Sequence, residues 1–325
     1  MSNYKTVFYT LGLLQIILGV FMLIPIISQL VFDQFNSTTM ILKHLRGNWT
    51  VLLKNISSFK NVVRKYDYFL FDQWGVLHNG HKKFTEAEKC LEYLKLENKK
   101  IILISNSASP TVQSEANLKR LGFSEKLFDY CITSGQIALN NIKKDIYKKF
   151  GRKCYPLELS KQKIKYFNLD CTKQVESANF AMIADLKDGL SILDFAEHLD
   201  KIMKYKLPLL CANPDYLVHN KNTLSMSGGT VAELYSDLGG TVFRYGKPYE
   251  PIYQDIFKKM RITNLSKVLV IGDSLWHDIA GGKKMKLDSL WIKNGIHKSK
   301  LKKKDEINPL LENYRTKYAI SHLKL

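Results

Sequence analysis

The sequence predicts an α/β protein: a doubly wound parallel sheet with an inserted α/β cap domain, preceded by one N-terminal transmembrane helix. Three observations support this prediction. Short apolar runs alternate with segments of helical periodicity, which is typical of a parallel sheet wrapped by helices. A second set of strands and helices interrupts that alternation at residues 141–226, and residues 6–32 are largely apolar and carry no charge.

The amino-terminal segment has the length and composition of a membrane-spanning helix. Thr6 to Phe32 contains no charged residue, and about 20 apolar residues in a helix cross the hydrocarbon core of a bilayer. Lys5 precedes the segment, whereas several Lys and Arg residues follow it. The positive-inside rule therefore predicts a single-pass protein of the inner (cytoplasmic) membrane, with the remaining domains in the cytoplasm.

Residues 1–33 also resemble the first membrane helix of Trk-type potassium-uptake transporters, through a short polar start followed by LGLLQIILGVFMLIPIIS. Nothing later in the chain resembles the rest of such a transporter. Two interpretations stay open: a functional membrane anchor, or a fused fragment that leaves the protein in the cytoplasm.

The domain boundaries are placed where these patterns change. We assign residues 1–35 to the transmembrane helix and residues 36–65 to a linker with one amphipathic helix. Residues 66–140 and 227–325 form the predicted core, and residues 141–226 form the predicted cap.

Composition argues against several classes of protein. The net charge of +19 arises from 49 Lys and Arg against 30 Asp and Glu, but the Lys residues are scattered, so we expect no nucleic-acid partner. The five cysteines form no C-x-x-C pair, which argues against a disulfide framework and a zinc ribbon. The sequence carries no signal for an oligomeric state.

Polar side chains follow the candidate core strands, at the point where each strand ends. The strands are Tyr68–Phe71, Lys100–Ile104, Tyr130–Thr133, Thr241–Tyr245, Val268–Ile271 and Ser289–Ile292. In such sheets ligands bind beyond the carboxyl ends of the strands. Asp72 follows the first strand, Ser105 and Asn106 follow the second, and Lys247 and Asp273 follow later ones.

Four sequence motifs resemble those of the haloacid dehalogenase-like hydrolases: FDQWGVLHNG, ILISNS, YGKP and VLVIGDSLWHDIAGG. The cap position, the ANPD at Ala212–Asp215, the GGT at Gly228–Thr230 and the GKP at Gly246–Pro248 are similar to class IIA of that family. This class has a large α/β cap and includes nitrophenyl phosphatases. The resemblance covers Tyr66 to Ile296 and implies a Rossmann-like core and a hydrolase.

The resemblance implies an aspartate nucleophile, Asp72, that forms an aspartyl-phosphate intermediate. It also implies magnesium, held by Asp72, Asp273, Asp278 and the backbone carbonyl of Trp74. Hard oxygen ligands suit that ion.

The other motif residues are expected to manage charge and selectivity. A carboxylate that attacks a phosphoryl group meets anion repulsion, so the site must supply positive charge. Lys247 is the candidate for that charge, Ser105 for a hydrogen bond to the phosphoryl oxygens, and Asn106 for orienting the loop. Asn213 and Asp215 are the candidate specificity residues of the cap.

Trp74 departs from the family pattern. The family's phosphatases carry a second aspartate two residues after the nucleophile, which protonates the leaving group and then activates water. General acid–base help of this kind contributes roughly 10² to 10⁴ in rate. His78 is the candidate substitute acid or base, and it forms a weak H-x-x-H pattern with His81.

Three functions therefore remain open. The favoured one is a magnesium-dependent hydrolase that acts as a phosphatase on a small phosphorylated metabolite. The second is a non-catalytic or regulatory phosphoester-binding protein, because Trp74 replaces the usual aspartate. The third is non-phosphate chemistry of the dehalogenase type, against which Lys247 and the paired metal aspartates argue.

Overall fold

The computed structural model describes residues 53–220, 223–314 and 316–325. The predicted transmembrane helix and most of the predicted linker lie outside these residues. Within the described ranges, no helix combines the length and the apolar character needed to cross a membrane.

The described residues form two parallel sheets and one hairpin. The strands are β1 (Lys54–Asn55), β2 (Tyr68–Phe71), β3 (Lys100–Ser105), β4 (Tyr130–Thr133), β5 (Lys153–Pro156), β6 (Asp170–Cys171), β7 (Phe180–Ile183), β8 (Leu209–Cys211), β9 (Leu217–Asn220), β10 (Thr223–Met226), β11 (Val242–Arg244), β12 (Val268–Gly272), β13 (Asp288–Ile292) and β14 (Tyr318–Ile320).

Helices connect most of these strands. The α-helices are α1 (Lys60–Val63), α2 (Thr85–Leu96), α3 (Thr111–Arg120), α4 (Ser134–Asn141), α5 (Tyr147–Lys149), α6 (Lys161–Phe167), α7 (Ala196–Lys204), α8 (Gly228–Asp237), α9 (Glu250–Lys259), α10 (Ala280–Lys284) and α11 (Lys304–Asn313).

The seven-stranded core sheet has the order β1-β14-β13-β12-β2-β3-β4 and its neighbouring strands run parallel. Its two central strands, β2 and β12, are covered on both faces, so they are almost wholly apolar. Ile271 of β12 is the register partner of Phe71 of β2. The residues that follow these two strands are therefore brought to the same edge of the sheet. This confirms the predicted parallel, Rossmann-like α/β core.

The cap contains the five-stranded parallel sheet β11-β8-β7-β5-β6 and the antiparallel hairpin β9–β10. We predicted that the core resumes at residue 227 and that Thr241–Tyr245 is a core strand, and this is wrong. Val242 of β11 pairs with Leu209 of β8, inside the cap sheet. An apolar run identifies a strand but not its sheet, and here the crossover through α8 returns the chain to the cap.

The described part of the predicted linker, residues 53–65, also belongs to the core. β1 pairs with β14 at the edge of the sheet, and Phe59 packs on Phe69 with ring centroids 5.8 Å apart. Val62 and Val63 of α1 are fully buried. These apolar side chains hold the segment against the sheet, so it is not a linker.

Candidate active site

Three aspartates meet at the carboxyl ends of the central strands. Asp72 follows β2, Asp273 follows β12, and Asp278 lies one helical turn further along the chain. One carboxylate oxygen from each lies within 4.8 Å of the others. Asp72 and Asp273 were expected to lie together because both follow parallel strands, and Asp278 was expected there from the motif resemblance. The structure brings all three together.

Lys247 lies between two of these carboxylates. Its Nζ atom donates to Asp72 Oδ1 at 2.6 Å and to Asp278 Oδ1 at 2.7 Å, and its side chain is only 3% exposed. Burial alone lowers the pKa of Lys247, but the Asp278 and Asp72 carboxylates outweigh it and hold the pKa above its usual value. The side chain is therefore a permanent positive charge.

The site nevertheless carries an excess of negative charge. Burial raises the pKa of Asp72 to about 7, although the Lys247 ammonium opposes this and Asp278 adds to it. Burial and the neighbouring Asp72 and Asp278 carboxylates raise the pKa of Asp273 well above its usual range. Three carboxylates share one ammonium here, and a divalent cation would relieve their mutual repulsion.

Backbone groups fix the two aspartates that follow β12. The Ile296 amide donates to Asp273 Oδ2 at 2.7 Å, and the Ser274 amide donates to Asp278 Oδ2 at 3.0 Å. Gly75, in the loop after Asp72, has a φ of +81°, and a Cβ atom there would collide with the Asp273 carboxylate. Only glycine permits this close approach of the loop to the Asp273 carboxylate.

Asn106 clamps the backbone of the loop that carries Lys247. The Lys247 amide donates to Asn106 Oδ1 at 2.6 Å, and Asn106 Nδ2 donates to the Lys247 carbonyl at 2.9 Å. The same Nδ2 donates to Asp215 Oδ1 at 2.7 Å. Ser105 is half-buried beside it and accepts from the Ser107 amide at 3.2 Å through Oγ. Asn106 thus orients the ammonium through the main chain.

A cavity of about 330 Å³ lies between the core and the cap. Its lining combines the charged groups above with apolar and aromatic side chains. The residues that the sequence singled out and that line it are Asp72, Trp74, Ser105, Asn106, Asn213, Asp215, Lys247, Asp273 and Asp278. A larger cavity of about 620 Å³ beside β4 contains none of them.

The cap residues are themselves held in place. Asn213 Nδ2 donates to Asp185 Oδ1 at 2.8 Å, and Asp185 Oδ2 pairs with Lys163 of α6 at 2.8 Å. Asp215 reaches across to Asn106 of the core. Burial raises the pKa of Asp215, and the Lys247 ammonium opposes that effect.

Trp74 presents an indole ring where the family phosphatases carry a second aspartate. The residue is 40% exposed, lines the cavity and contacts the His78 ring edge to face, with centroids 5.7 Å apart. It has no group that exchanges a proton. The cavity therefore has no carboxylic acid at this position.

The structure does not bring His78 into the cavity. Its ring is buried, and Nδ1 accepts from the Gly80 amide at 3.0 Å. Burial, reinforced by Arg120, lowers the pKa of His78 to about 4. His78 is therefore a neutral residue that shapes the loop, and the geometry does not support its role as substitute acid.

Two titratable residues of the cavity, His277 and Asp185, were not singled out from the sequence. His277 is buried, with Nε2 3.3 Å from the Pro214 carbonyl and 3.5 Å from Asp215 Oδ1, and burial lowers its pKa to about 3. It lies inside the quoted motif VLVIGDSLWHDIAGG, which was the available signal. Asp185 has no such signal, because its place in the lining depends on the fold of the cap.

Comparison with known proteins identifies the family. A family model described as haloacid dehalogenase-like hydrolase matches residues 69–164, and a second model, for HAD-hydrolase-like domains, matches residues 244–322. No curated protein matches the chain.

Solved structures share the fold over most of the described residues. A haloacid dehalogenase-like hydrolase from Brucella suis 1330 is 26% identical, with a TM-score of 0.71, and the match covers 82% of this chain and 99% of that one. A possible sugar phosphatase from Cytophaga hutchinsonii is 22% identical, with a TM-score of 0.65, over 83% and 98%. A 4-nitrophenylphosphatase from Thermotoga maritima is 20% identical, with a TM-score of 0.60, over 80% and 96%.

The two family models match the parts of the chain that contain Asp72, Lys247, Asp273 and Asp278, and most of the cap lies between the two matches. The order of motifs, the parallel core and the inserted α/β cap agree with these matches. This chain belongs to the haloacid dehalogenase-like hydrolases.

Proposed function

We propose that this chain is a magnesium-dependent phosphatase of small phosphorylated metabolites that works through an aspartyl-phosphate at Asp72. One observation carries the proposal: the Asp72 carboxylate is held 2.6 Å from the buried Lys247 ammonium, in a cavity that also contains Asp273 and Asp278. Among the structural neighbours are a possible sugar phosphatase, a 4-nitrophenylphosphatase and a glycerol phosphate phosphatase from Mycobacterium tuberculosis in complex with calcium.

The donor set fits magnesium. Carboxylate oxygens are the ligands that this ion prefers, and it usually keeps several waters when bound by protein. Asp72, Asp273 and Asp278 would hold it, together with the backbone carbonyl of Trp74. When bound, it supplies positive charge beside the phosphoryl oxygens and so complements Lys247.

In the first step, an Asp72 carboxylate oxygen attacks phosphorus and the bond between phosphorus and the leaving-group oxygen breaks. Lys247 neutralises charge on the phosphoryl oxygens and favours the ionised form of Asp72, because its ammonium opposes the effect of burial on the pKa of that carboxyl. The Ser105 hydroxyl donates a hydrogen bond to the same oxygens. Fixed donors of this kind reduce the barrier because they need no reorganisation during the reaction.

The leaving group departs without an acid from position 74. It takes its proton from water. The missing acid therefore reduces the rate of hydrolysis least for esters whose leaving groups are already acidic, such as nitrophenol. The second step, attack of water on the aspartyl-phosphate, also proceeds without a carboxylate base. We therefore expect a phosphoenzyme that persists longer than in relatives with a second aspartate.

Trp74 also favours a second candidate, a phosphoester-binding protein without turnover. The cavity, Lys247 and the carboxylate cluster serve binding as well as catalysis. Only the proton-transfer group is replaced. The two candidates differ in whether the aspartyl-phosphate forms and breaks down.

Release of nitrophenol from nitrophenyl phosphate by the full-length chain, with and without Mg²⁺, separates them. We expect Mg²⁺-dependent turnover that falls on the order of 10³-fold or more in Asp72→Asn. Asp67→Asn is the matched control, because Asp67 pairs with Lys99 on the surface. Turnover that survives in Asp72→Asn would refute the nucleophile, and tight ester binding without turnover in the wild type would establish the binding protein.

A further inference from the structure

Cys154 and Cys171 lie side by side at the edge of the cap sheet. They are register partners on the parallel strands β5 and β6, and β6 is the edge strand of that sheet. Partners on adjacent strands are separated by roughly 4.8 Å, which lies inside the Cα–Cα range of about 4.4 to 6.8 Å found for disulfides. Their side chains project to the same face, so the two sulfur atoms are neighbours.

We propose that Cys154 and Cys171 form an oxidation site, in which a peroxide converts the two thiols into a disulfide. The proposal concerns the cap and does not depend on the reaction at Asp72. None of the motifs assigned to the active site includes either cysteine.

Accessibility distinguishes Cys171 from the other cysteines. Cys90, Cys131, Cys154 and Cys211 are buried, whereas Cys171 is partly exposed. A peroxide in solution therefore reaches Cys171 first. Cys154 is within reach of the product but is shielded from the oxidant itself.

The pair divides the roles of attacking and resolving thiol. The neighbouring Cys154 thiol stabilises the Cys171 thiolate and so lowers the pKa of Cys171 below its usual value. Burial, followed by the proximity of Cys171, raises the pKa of Cys154 well above its usual value. Cys171 therefore has the greater thiolate character, which governs reactivity towards peroxide.

The chemistry balances with hydrogen peroxide as the only co-reactant. The Cys171 thiolate attacks one peroxide oxygen, the O–O bond breaks, and hydroxide leaves, so that Cys171 becomes a sulfenic acid. The Cys154 sulfur then attacks the Cys171 sulfur, the S–O bond breaks, and the Cys154 proton leaves with that oxygen as water. Overall two thiols are oxidised, and one peroxide is reduced to two molecules of water.

Local structure favours closure of this bond. β6 contains only two residues, so a small shift of the edge strand adjusts the sulfur separation at little cost. The new bond would close the segment from Cys154 to Cys171, which contains α6 and therefore Lys163. Lys163 contacts both Asp185 and Ser109 Oγ, the latter at 3.2 Å in the core. Oxidation would thus fix the cap segment whose lysine reaches the core.

Mass spectrometry of the full-length chain after peroxide treatment and alkylation of the remaining thiols tests the proposal. We expect a cross-linked Cys154–Cys171 peptide that disappears on reduction. Before oxidation, we expect Cys171 to be alkylated at least about tenfold faster than the four buried cysteines. The oxidised protein should also melt a few degrees higher than the reduced protein, because the cross-link restricts the unfolded chain.

Variants assign the roles. Cys154→Ser should accumulate a dimedone-reactive sulfenic acid at Cys171, Cys171→Ser should form no cross-link, and Cys90→Ala is the control that keeps it. If Cys154→Ser does not fold, Cys171→Ser still tests the proposal. Cys171 lies on the partly exposed edge strand, so its replacement by serine should leave the fold intact. Oxidation of wild-type Cys171 to a sulfinic acid without a cross-link, or a cross-link that persists in Cys171→Ser, would overturn the proposal.

Discussion

Asn106 of the core and Asp215 of the cap are joined by a 2.7 Å hydrogen bond from Nδ2 to Oδ1. The same amide side chain also bonds both the N–H and the carbonyl of Lys247. A cap carboxylate is thereby connected, through one side chain, to the loop that carries the active-site ammonium. Asp215 was expected to determine substrate selectivity. Its contacts instead indicate that it positions the loop of Lys247 through Asn106.

Removal of the Asp215 carboxylate should therefore affect turnover more than binding. We expect Asp215→Ala to lower kcat by roughly ten- to 150-fold with little change in KM, because a hydrogen bond to a charged group contributes about 1.5–3 kcal/mol. Asp215→Asn keeps an acceptor and should retain most of the activity. Nitrophenyl phosphate kinetics measure both, with exposed Asp237→Ala as control. Equal losses in the two Asp215 variants would contradict the positioning role.

Lys247→Met should destabilise the fold as well as abolish activity. The substitution leaves Asp72 and Asp278 buried without their counter-ion, which typically costs about 3–5 kcal/mol. Thermal unfolding in chelator should show a lower Tm, and added Mg²⁺ should recover part of it by binding the same carboxylates. Lys258→Met, on the exposed face of α9, is the control. An unchanged Tm for Lys247→Met would contradict a stabilising role for the ion pairs that Lys247 forms with Asp72 and Asp278.

Trp74→Asp should restore the missing proton donor. Trp74 is partly exposed, so its replacement leaves no internal cavity. We expect kcat/KM for an alkyl phosphate to rise by roughly 10² to 10⁴, and that for nitrophenyl phosphate to rise much less, because nitrophenolate leaves without help. Trp74→Asn introduces a side chain of the same size as aspartate but without the acid, so it should show no such gain. A gain of equal size in both variants would attribute it to space instead.

The buried imidazole of His297 predicts a loss of stability in mild acid. Burial, reinforced by Lys300, lowers its pKa from 6.5 to about 4, and neutral Nε2 accepts from the Leu275 amide at 3.0 Å. Between these pH values the unfolded chain binds a proton that the native protein does not. The stability contributed is therefore present above pH 6.5 and lost as the pH falls towards 4, by roughly 3 kcal/mol.

Thermal unfolding across that pH range measures this effect. His297→Gln keeps an acceptor without a titrating group, so its Tm should fall less between pH 6.5 and 4 than that of the wild type. His322→Gln, at an exposed histidine, should follow the wild-type profile. If the Tm of His297→Gln fell with pH in parallel with that of the wild type, the loss of stability would arise from a group other than His297.

Strands buried on both faces could be predicted from the sequence. Tyr68–Phe71 and Tyr130–Thr133 coincide with β2 and β4, since a continuous apolar run bounded by polar residues has few alternatives in a parallel sheet. β1 and β14 were not predicted. They contain two and three residues, too few to show a periodicity, and they are strands only because distant segments pair with them.

The positions of some of the site residues could also be predicted from the sequence. The strand-end rule placed Asp72 and Asp273 together, because the carboxyl ends of parallel strands share one edge. Lys247 follows β11, which lies in the cap sheet, so only the motifs indicated its place beside these carboxylates. The contact between Asn106 and Asp215, and the place of Asp185 in the lining, depend on how the cap docks. No local pattern in the sequence encodes that docking.

The position of β14 constrains how the protein is made. It lies between β1 and β13 in the sheet, the Lys54 amide bonds the Lys317 carbonyl at 3.0 Å, and the Phe59 amide bonds the Lys324 carbonyl at 2.8 Å. During synthesis, residues 54–59 therefore remain without their hydrogen-bond partners, because Lys317 and Lys324 leave the ribosome only after the whole cap. Contacts so distant in sequence close slowly, and until then the backbone groups of residues 54–59 that bond the C-terminal segment are open to pairing with other nascent chains.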